Sequence, residues 1–185
     1  MKELQEWLES LGKKYTLDEL KNLTELYLHN NQLTSVPESI GNLKNLTYLD
    51  LSDNNLASVP ESICELKKLT GLDLSNNKLT SLPESICNLK NLTGLDLRNN
   101  KLTSLPESIC KLKNLTYLDL SNNNLASVPE SMCELKSLTE LYLGNNPDLI
   151  LTQKQADFIS RIQNHSNLSE FTIIPDSELA KDLFL

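Results

Sequence analysis

From Asn22 onward, apolar and polar residues alternate in short bursts that return every 23 residues. The segment Asn22 to Lys44 recurs from Asn45, Lys68, Asn91 and Asn114. A sixth copy opens as Ser137-Leu138-Thr139-Glu140-Leu141-Tyr142-Leu143 and then diverges. With small deviations each copy reads N-L-T-x-L-x-L-x-x-N-x-L-x-S-[VL]-P-E-S-[IM]-x-x-L-K. In the copy from Asn114, Leu118 and Leu120 alternate with Tyr117, Asp119 and Ser121. That period of two predicts a short strand whose leucines point inward and whose intervening residues form an outward face. Asn123 follows, in phase with Asn31, Asn54, Asn77, Asn100 and Asn146. An amide side chain satisfies turn backbone groups that burial would leave unpaired, so a stacked asparagine ladder is expected. Next comes Val128-Pro129-Glu130-Ser131-Met132. Proline suits the first turn of a short helix, Glu130 suits its positive end, and Met132 and Leu135 share the inward face.

A single repeat cannot offset the entropy of ordering its own backbone, whereas stacked copies merge their cores and pair their strands. The pattern therefore predicts an α/β chain wound as a right-handed curved solenoid, with a parallel concave sheet, short convex helices and helical caps. Residues 1–21 form the expected N-terminal cap and half-repeat, 22–159 the repeats, and 160–185 the C-terminal cap. In the first segment Leu4, Trp7, Leu8 and Leu11 fit one helix face, Gly12 fits its stop, and Thr16-Leu17-Asp18-Glu19 is a capping box. Leu17 and Leu20 occupy the inward phase of Ile40 and Leu43. At the other end, Thr152-Gln153-Lys154-Gln155 opens a helix carrying Ala156, Phe158, Ile159 and Ile162. The run from Asn167 to Ile173 echoes the strand pattern and predicts a degenerate seventh strand. A final helix after Pro175 carries Leu179, Leu183 and Phe184. The tail reads either as pure capping or as a cap that also docks a partner or a further domain.

These repeats resemble the intracellular leucine-rich repeat proteins of the Ras-suppressor and Scribble type, which share the 23-residue unit with L-P-x-x-I on the outer side. They are also similar to leucine-rich repeat effectors of intracellular bacterial pathogens. The resemblance runs from Asn22 to roughly Ile159. It implies the solenoid fold and a protein-binding scaffold role, and names no partner, because the matched positions are structural. Extracellular members commonly carry disulfide-rich caps, which this chain lacks. Bacterial ubiquitin-ligase effectors add a catalytic domain, for which no segment here is long enough.

The formal net charge of −8 argues against nucleic acid, which needs clustered Lys and Arg, and favours a protein partner with a basic patch. The N-terminus lacks the apolar core of a secretory signal, and no apolar run approaches a membrane span. A cytoplasmic location is expected, with delivery into a host cell by a route needing no cleaved signal as the alternative. Cys64, Cys87, Cys110 and Cys133 share one repeat phase, held by Gly41 in the first copy. Without C-x-x-C pairs they read as small packing residues and free thiols rather than a metal site, and no cofactor is expected.

The outward strand positions carry the candidate site. Between the two leucines stand Tyr27, Asp50, Asp73, Asp96, Asp119 and Tyr142, and two positions earlier Glu25, Tyr48, Gly71, Gly94, Tyr117 and Glu140. The rows are mirror-symmetric about the middle of the array. Four aspartates would form an acidic row beside a hollow at the two glycines, walled by Tyr48 and Tyr117. One reading is a slot for a partner's Arg or Lys, paired by carboxylates and stacked on tyrosines. The other is simple repetition of duplicated copies. Two positions beyond the acidic row, Arg98 stands where other copies have Ser52, Ser75 and Ser121, close enough to offset part of the aspartates' repulsion. No catalytic set is visible. His29 and His165 are far apart, and there is no phosphate loop or zinc motif. The expectation is a non-enzymatic interaction module binding on its concave face. A secreted effector targeting a host protein and a regulatory or specificity subunit of an enzyme complex are the alternatives.

Overall fold

The computed structural model describes residues 1–162, 164–165 and 167–175. Helix α1 (Lys2–Ser10) and helix α2 (Leu17–Asn22) lead into six three-residue strands. These are β1 (Glu25–Tyr27), β2 (Tyr48–Asp50), β3 (Gly71–Asp73), β4 (Gly94–Asp96), β5 (Tyr117–Asp119) and β6 (Glu140–Tyr142). Each pairs in parallel with the next, in sequence order and without slippage, so Leu26, Leu49, Leu72, Leu95, Leu118 and Leu141 lie side by side. The return segments carry five-residue 3₁₀ turns, from Glu38–Asn42 to Glu130–Glu134, each entered from a proline. The expected short convex helices are thus of the tighter 3₁₀ form, which suits a stretch too short for a full α-helix.

Between sheet and turns runs one continuous core in which the strand leucines, the 3₁₀ isoleucines and Met132 are fully buried. Polar ladders tie the coils together at both ends of the strands. At the entry, Thr47, Thr70, Thr93 and Thr116 each donate a hydroxyl to the carbonyl of the threonine one coil earlier, at 2.9–3.0 Å. At the exit stands the expected asparagine ladder. The Asn77 amide donates to the Leu51, Leu74 and Ser75 carbonyls, and its oxygen accepts the Leu56 N–H at 3.0 Å. Asn54, Asn100 and Asn123 repeat this set. One residue before the ladder, Asn30, Asp53, Asn76, Asn99, Asn122 and Asn145 all hold positive φ, between 53° and 58°. Short polar side chains tolerate that left-handed region best, which explains the paired Asn-Asn or Asp-Asn at this point.

The caps follow the sequence reading in part. Leu4 and Leu8 are fully buried, Gly12 ends α1 at φ +76°, and the Thr16–Glu19 capping box forms. Leu17, expected to face inward, is 41% exposed, because α2 is α-helical and only Leu20 reaches the core. Gly41 has a steric reason: a Cβ there would sit 2.6 Å from the Ser62 carbonyl oxygen of the next coil.

At the other end, β7 (Ile150–Thr152) runs straight into α3 (Gln153–Ile159) through the Thr152–Gln155 capping box. The seventh strand of the main sheet is β8 (Asn164–His165), beside β6. It precedes the expected Asn167–Ile173 segment. That segment instead makes a 3₁₀ turn at Leu168–Glu170 and enters β9 (Thr172–Ile174), which pairs with β7 in a separate two-stranded sheet. The alternation of Leu168, Phe171 and Ile173 therefore marks the outer side of the last coil. The final helix expected from Leu179, Leu183 and Phe184 lies outside the described residues.

Candidate functional site

Strict register places every candidate residue on one face. Tyr48, Gly71, Gly94 and Tyr117 stand abreast, and so do Asp50, Asp73, Asp96 and Asp119, with Tyr27 and Tyr142 closing the row. The rows expected from the sequence are therefore real neighbours, with strands about 4.8 Å apart.

The aspartates do two jobs. In each, one carboxylate oxygen accepts the N–H two residues on: Ser52, Ser75, Arg98 and Ser121, at 2.9–3.1 Å. The Ser52 and Ser121 hydroxyls donate to the same oxygens. This local bond turns the strand into the asparagine turn and gives aspartate a structural reason at this phase. The second oxygen is left over from that bond. On Asp50 it lies 3.0 Å from His29 Nδ1, on Asp96 3.4 Å from Arg98 Nε, and on Asp119 3.4 Å from the Tyr117 hydroxyl that donates to it. On Asp73 it has no hydrogen-bond partner among the described residues.

The hollow forms, but not symmetrically. The Tyr48 ring leans over Gly71, where a Cβ would meet Tyr48 Cδ2 at 2.6 Å. Gly94 has nothing within 4 Å of the same point. The mirror relation of the sequence rows is thus broken in space: Gly71 accommodates a ring, and Gly94 is the open floor. The tyrosines group in two pairs, Tyr27 with Tyr48 at 5.6 Å and Tyr117 with Tyr142 at 6.0 Å between ring centres. Between the pairs lies a cavity of about 200 Å³ lined by Tyr48, Gly71, Asp73, Gly94, Asp96 and Tyr117, with Leu72 and Leu95 beneath. The underlying leucines gave no separate signal in the sequence, since every strand carries them.

Electrostatics sharpen at the centre. Burial pushes the Asp96 carboxyl up to about 6. The flanking Asp73 and Asp119 add to the rise, and the Arg98 N–H and guanidinium oppose it. Burial and the nearby Asp96 and Asp119 raise the Tyr117 phenol, which stays protonated as a donor. Asp96 in turn raises the Arg98 guanidinium. Arg98 is 47% exposed and Asp96 13%, so their ion pair sits at the rim of the hollow.

Elsewhere, the four cysteines are free thiols. Cys64 is buried, and desolvation raises its pKa. Among the described residues no group of three or more His, Cys, Asp or Glu side chains is placed to hold a metal ion. No described helix is long and apolar enough to cross a membrane.

The sequence of residues 71–183 matches the model of a leucine-rich repeat region, over more than half of the chain. The chain belongs to the leucine-rich repeat family. A second model of the same family, for paired leucine-rich repeats, matches residues 21–66 of this leucine-rich repeat chain. A comparison with curated proteins found no match. Among solved structures, it is similar to a leucine-rich repeat protein of Leptospira interrogans. The two are 38% identical with a TM-score of 0.71, over 87% of this chain and 47% of that one. The chain thus spans about half the length of the Leptospira protein. It is also similar to a chain of the BIR3–SERK2 complex from Arabidopsis thaliana, at 35% identity and a TM-score of 0.59, over 69% of this chain and 70% of that one. The BIR2 ectodomain from the same plant follows, at 31% identity and a TM-score of 0.52, over 57% and 58% of the two chains.

Proposed function

We propose that this leucine-rich repeat chain is a non-enzymatic protein-binding module, and that a basic surface of its partner docks on the inner sheet. The observation that carries the reading is the acidic row, Asp50, Asp73, Asp96 and Asp119, held in register on the parallel sheet and flanked by tyrosine pairs. Tyrosine is enriched among the anchoring side chains of protein interfaces, and an aligned row of carboxylates gives electrostatic complementarity to a basic partner. A net charge of −8 adds long-range attraction for a basic partner. The similar chain in the BIR3–SERK2 complex comes from a structure of two proteins bound together, which supports protein rather than small-molecule recognition for this fold.

The test compares three immobilised full-length chains: wild type, Asp73→Asn with Asp96→Asn, and an outer-face control with Glu84→Gln and Glu107→Gln. Asparagine keeps the local bond to the following N–H, removes the charge and turns the outward acceptor into an amide donor. The expected result is a protein retained by wild type and by the outer-face control, lost from the double asparagine chain, and released progressively as salt rises. Equal retention on all three chains overturns the inner-sheet reading.

A further inference from the structure

Resting on that reading, we infer that the opening over Gly94 is an anchor pocket for one lysine side chain of the partner, its ammonium bridging Asp73 and Asp96 and its methylene stem lying between Tyr48 and Tyr117. Asp73 and Asp96 are register partners. Each has one oxygen fixed on the N–H two residues ahead, at 2.9 and 3.1 Å. The two side chains therefore share one orientation, and their outward oxygens repeat at the strand spacing of about 4.8 Å. A tetrahedral ammonium that donates to two carboxylate oxygens at about 2.8 Å holds them about 4.6 Å apart. The match is close. A guanidinium is built for the opposite case, two parallel bonds to the two oxygens of one carboxylate. Here each aspartate has only one oxygen outside its local backbone bond.

The walls fit the stem of the same side chain. The edge of the Tyr48 ring leans from β2 toward Gly71 on β3. Tyr117 stays above β5, held by its bond to Asp119 and its contact with Tyr142. Between the two rings lies the cavity of about 200 Å³. A methylene stem entering that cavity has an aromatic face on either side for apolar contact. The floor is Gly94, where a side chain would meet nothing within 4 Å and would fill the space itself.

Arg98 completes the device as an internal competitor. It is the only arginine or lysine in its outward row, and in the free chain it holds the Asp96 oxygen that the ammonium needs. The entering lysine displaces it. Asp96 faces Asp73 from β3, Asp119 and Tyr117 from β5, Tyr48 from β2 and Arg98 two residues beyond it on its own coil. Protonation of Asp96 as pH falls through about 6 removes one of the two acceptors. Lysine binding therefore weakens on acidification.

The experiment titrates the isotope-labelled full chain with acetyl-Ala-Ala-Lys-Ala-Ala-amide, and with the same peptide carrying arginine or Nε-acetyl-lysine, following the Gly71, Gly94 and Tyr117 amide signals. Saturable shifts with the lysine peptide are expected, with arginine and acetyl-lysine weaker by about tenfold, the cost of losing a charge-assisted bond. Gly94→Tyr restores the residue found at this phase in Tyr48 and Tyr117 and should abolish the shifts while leaving the other amide signals in place. Arg98→Ser should tighten binding. Arginine binding as well as lysine, or lysine binding unaltered in Gly94→Tyr, overturns the pocket. A partner lost from the double asparagine chain yet kept by Gly94→Tyr sinks the lysine anchor and leaves the inner-sheet reading standing. A partner kept by both variants sinks that reading itself.

Discussion

A single aspartate shows how structure and recognition share a side chain here. Asp96 uses one oxygen to hold the Arg98 N–H and leaves the other beside two like charges in a partly desolvated row. Its carboxyl is raised from the usual range to about 6, so the folded chain binds a proton more tightly than the unfolded one. Stability linked to this group is therefore present below the unfolded value and lost as pH rises through about 6. Asp96→Asn keeps the backbone bond and removes the charge. Urea denaturation of variant and wild type should show the variant more stable at pH 7.5, with the gap narrowing as pH falls through about 6 and closing only below the ordinary carboxyl value of 3.8. A gap that does not change with pH would show that the row imposes no electrostatic cost. Alanine is the wrong probe at this position, since it would also orphan an N–H, an effect invisible until the bond to Arg98 was seen.

The short elements are held mainly from outside themselves. A three-residue strand or a five-residue 3₁₀ turn has too few internal bonds to persist alone. The threonine and asparagine ladders supply what each lacks by tying every coil to the next. Asn77→Ala removes three donated bonds and one accepted bond, and leaves the Leu56 N–H buried without its partner. A loss of at least about 3 kcal/mol is expected in urea denaturation, since each orphaned buried group costs about 1–3 kcal/mol. A loss below about 1 kcal/mol would mean that water enters and replaces the amide. The ladder was legible because asparagine repeated at one phase. The positive-φ row beside it carried the same kind of signal in Asn30, Asp53, Asn76, Asn99, Asn122 and Asn145. Strand β8 carried none. Its pairing with β6 runs through the backbone of Asn164 and His165, so hydrophobic alternation pointed instead to the apolar outer run ending in β9. The candidate site was legible residue by residue, because register follows from a fixed repeat length. Its asymmetry was not. Identical glycines at 71 and 94 diverge only because the Tyr48 ring turned toward one of them.

On the scale of the molecule, the fold is a line rather than a ball. Each coil touches its neighbours, and the core is continuous from Leu4 to Ile162. Such an array depends on its ends, where an apolar cross-section would otherwise meet water. Removing residues 1–21 strips Leu4, Leu8 and Leu20 from the stack and uncovers Leu26, Leu28 and Ile40. The truncated chain should melt at lower temperature by circular dichroism and form larger species in light scattering. An unchanged melting curve and a monodisperse truncated chain would show that the first coil caps itself.

Carboxylates tethered by their own backbone have a kinetic consequence. A surface aspartate usually samples several rotamers and must stop doing so when a guest arrives. Those on this wall are already arrested, so little freedom is left for the receptor to surrender. Encounter should then cost mainly the mobility of the visitor's own side chain and of Arg98, while the carboxylates themselves stand in the same place before the visit, during it and after.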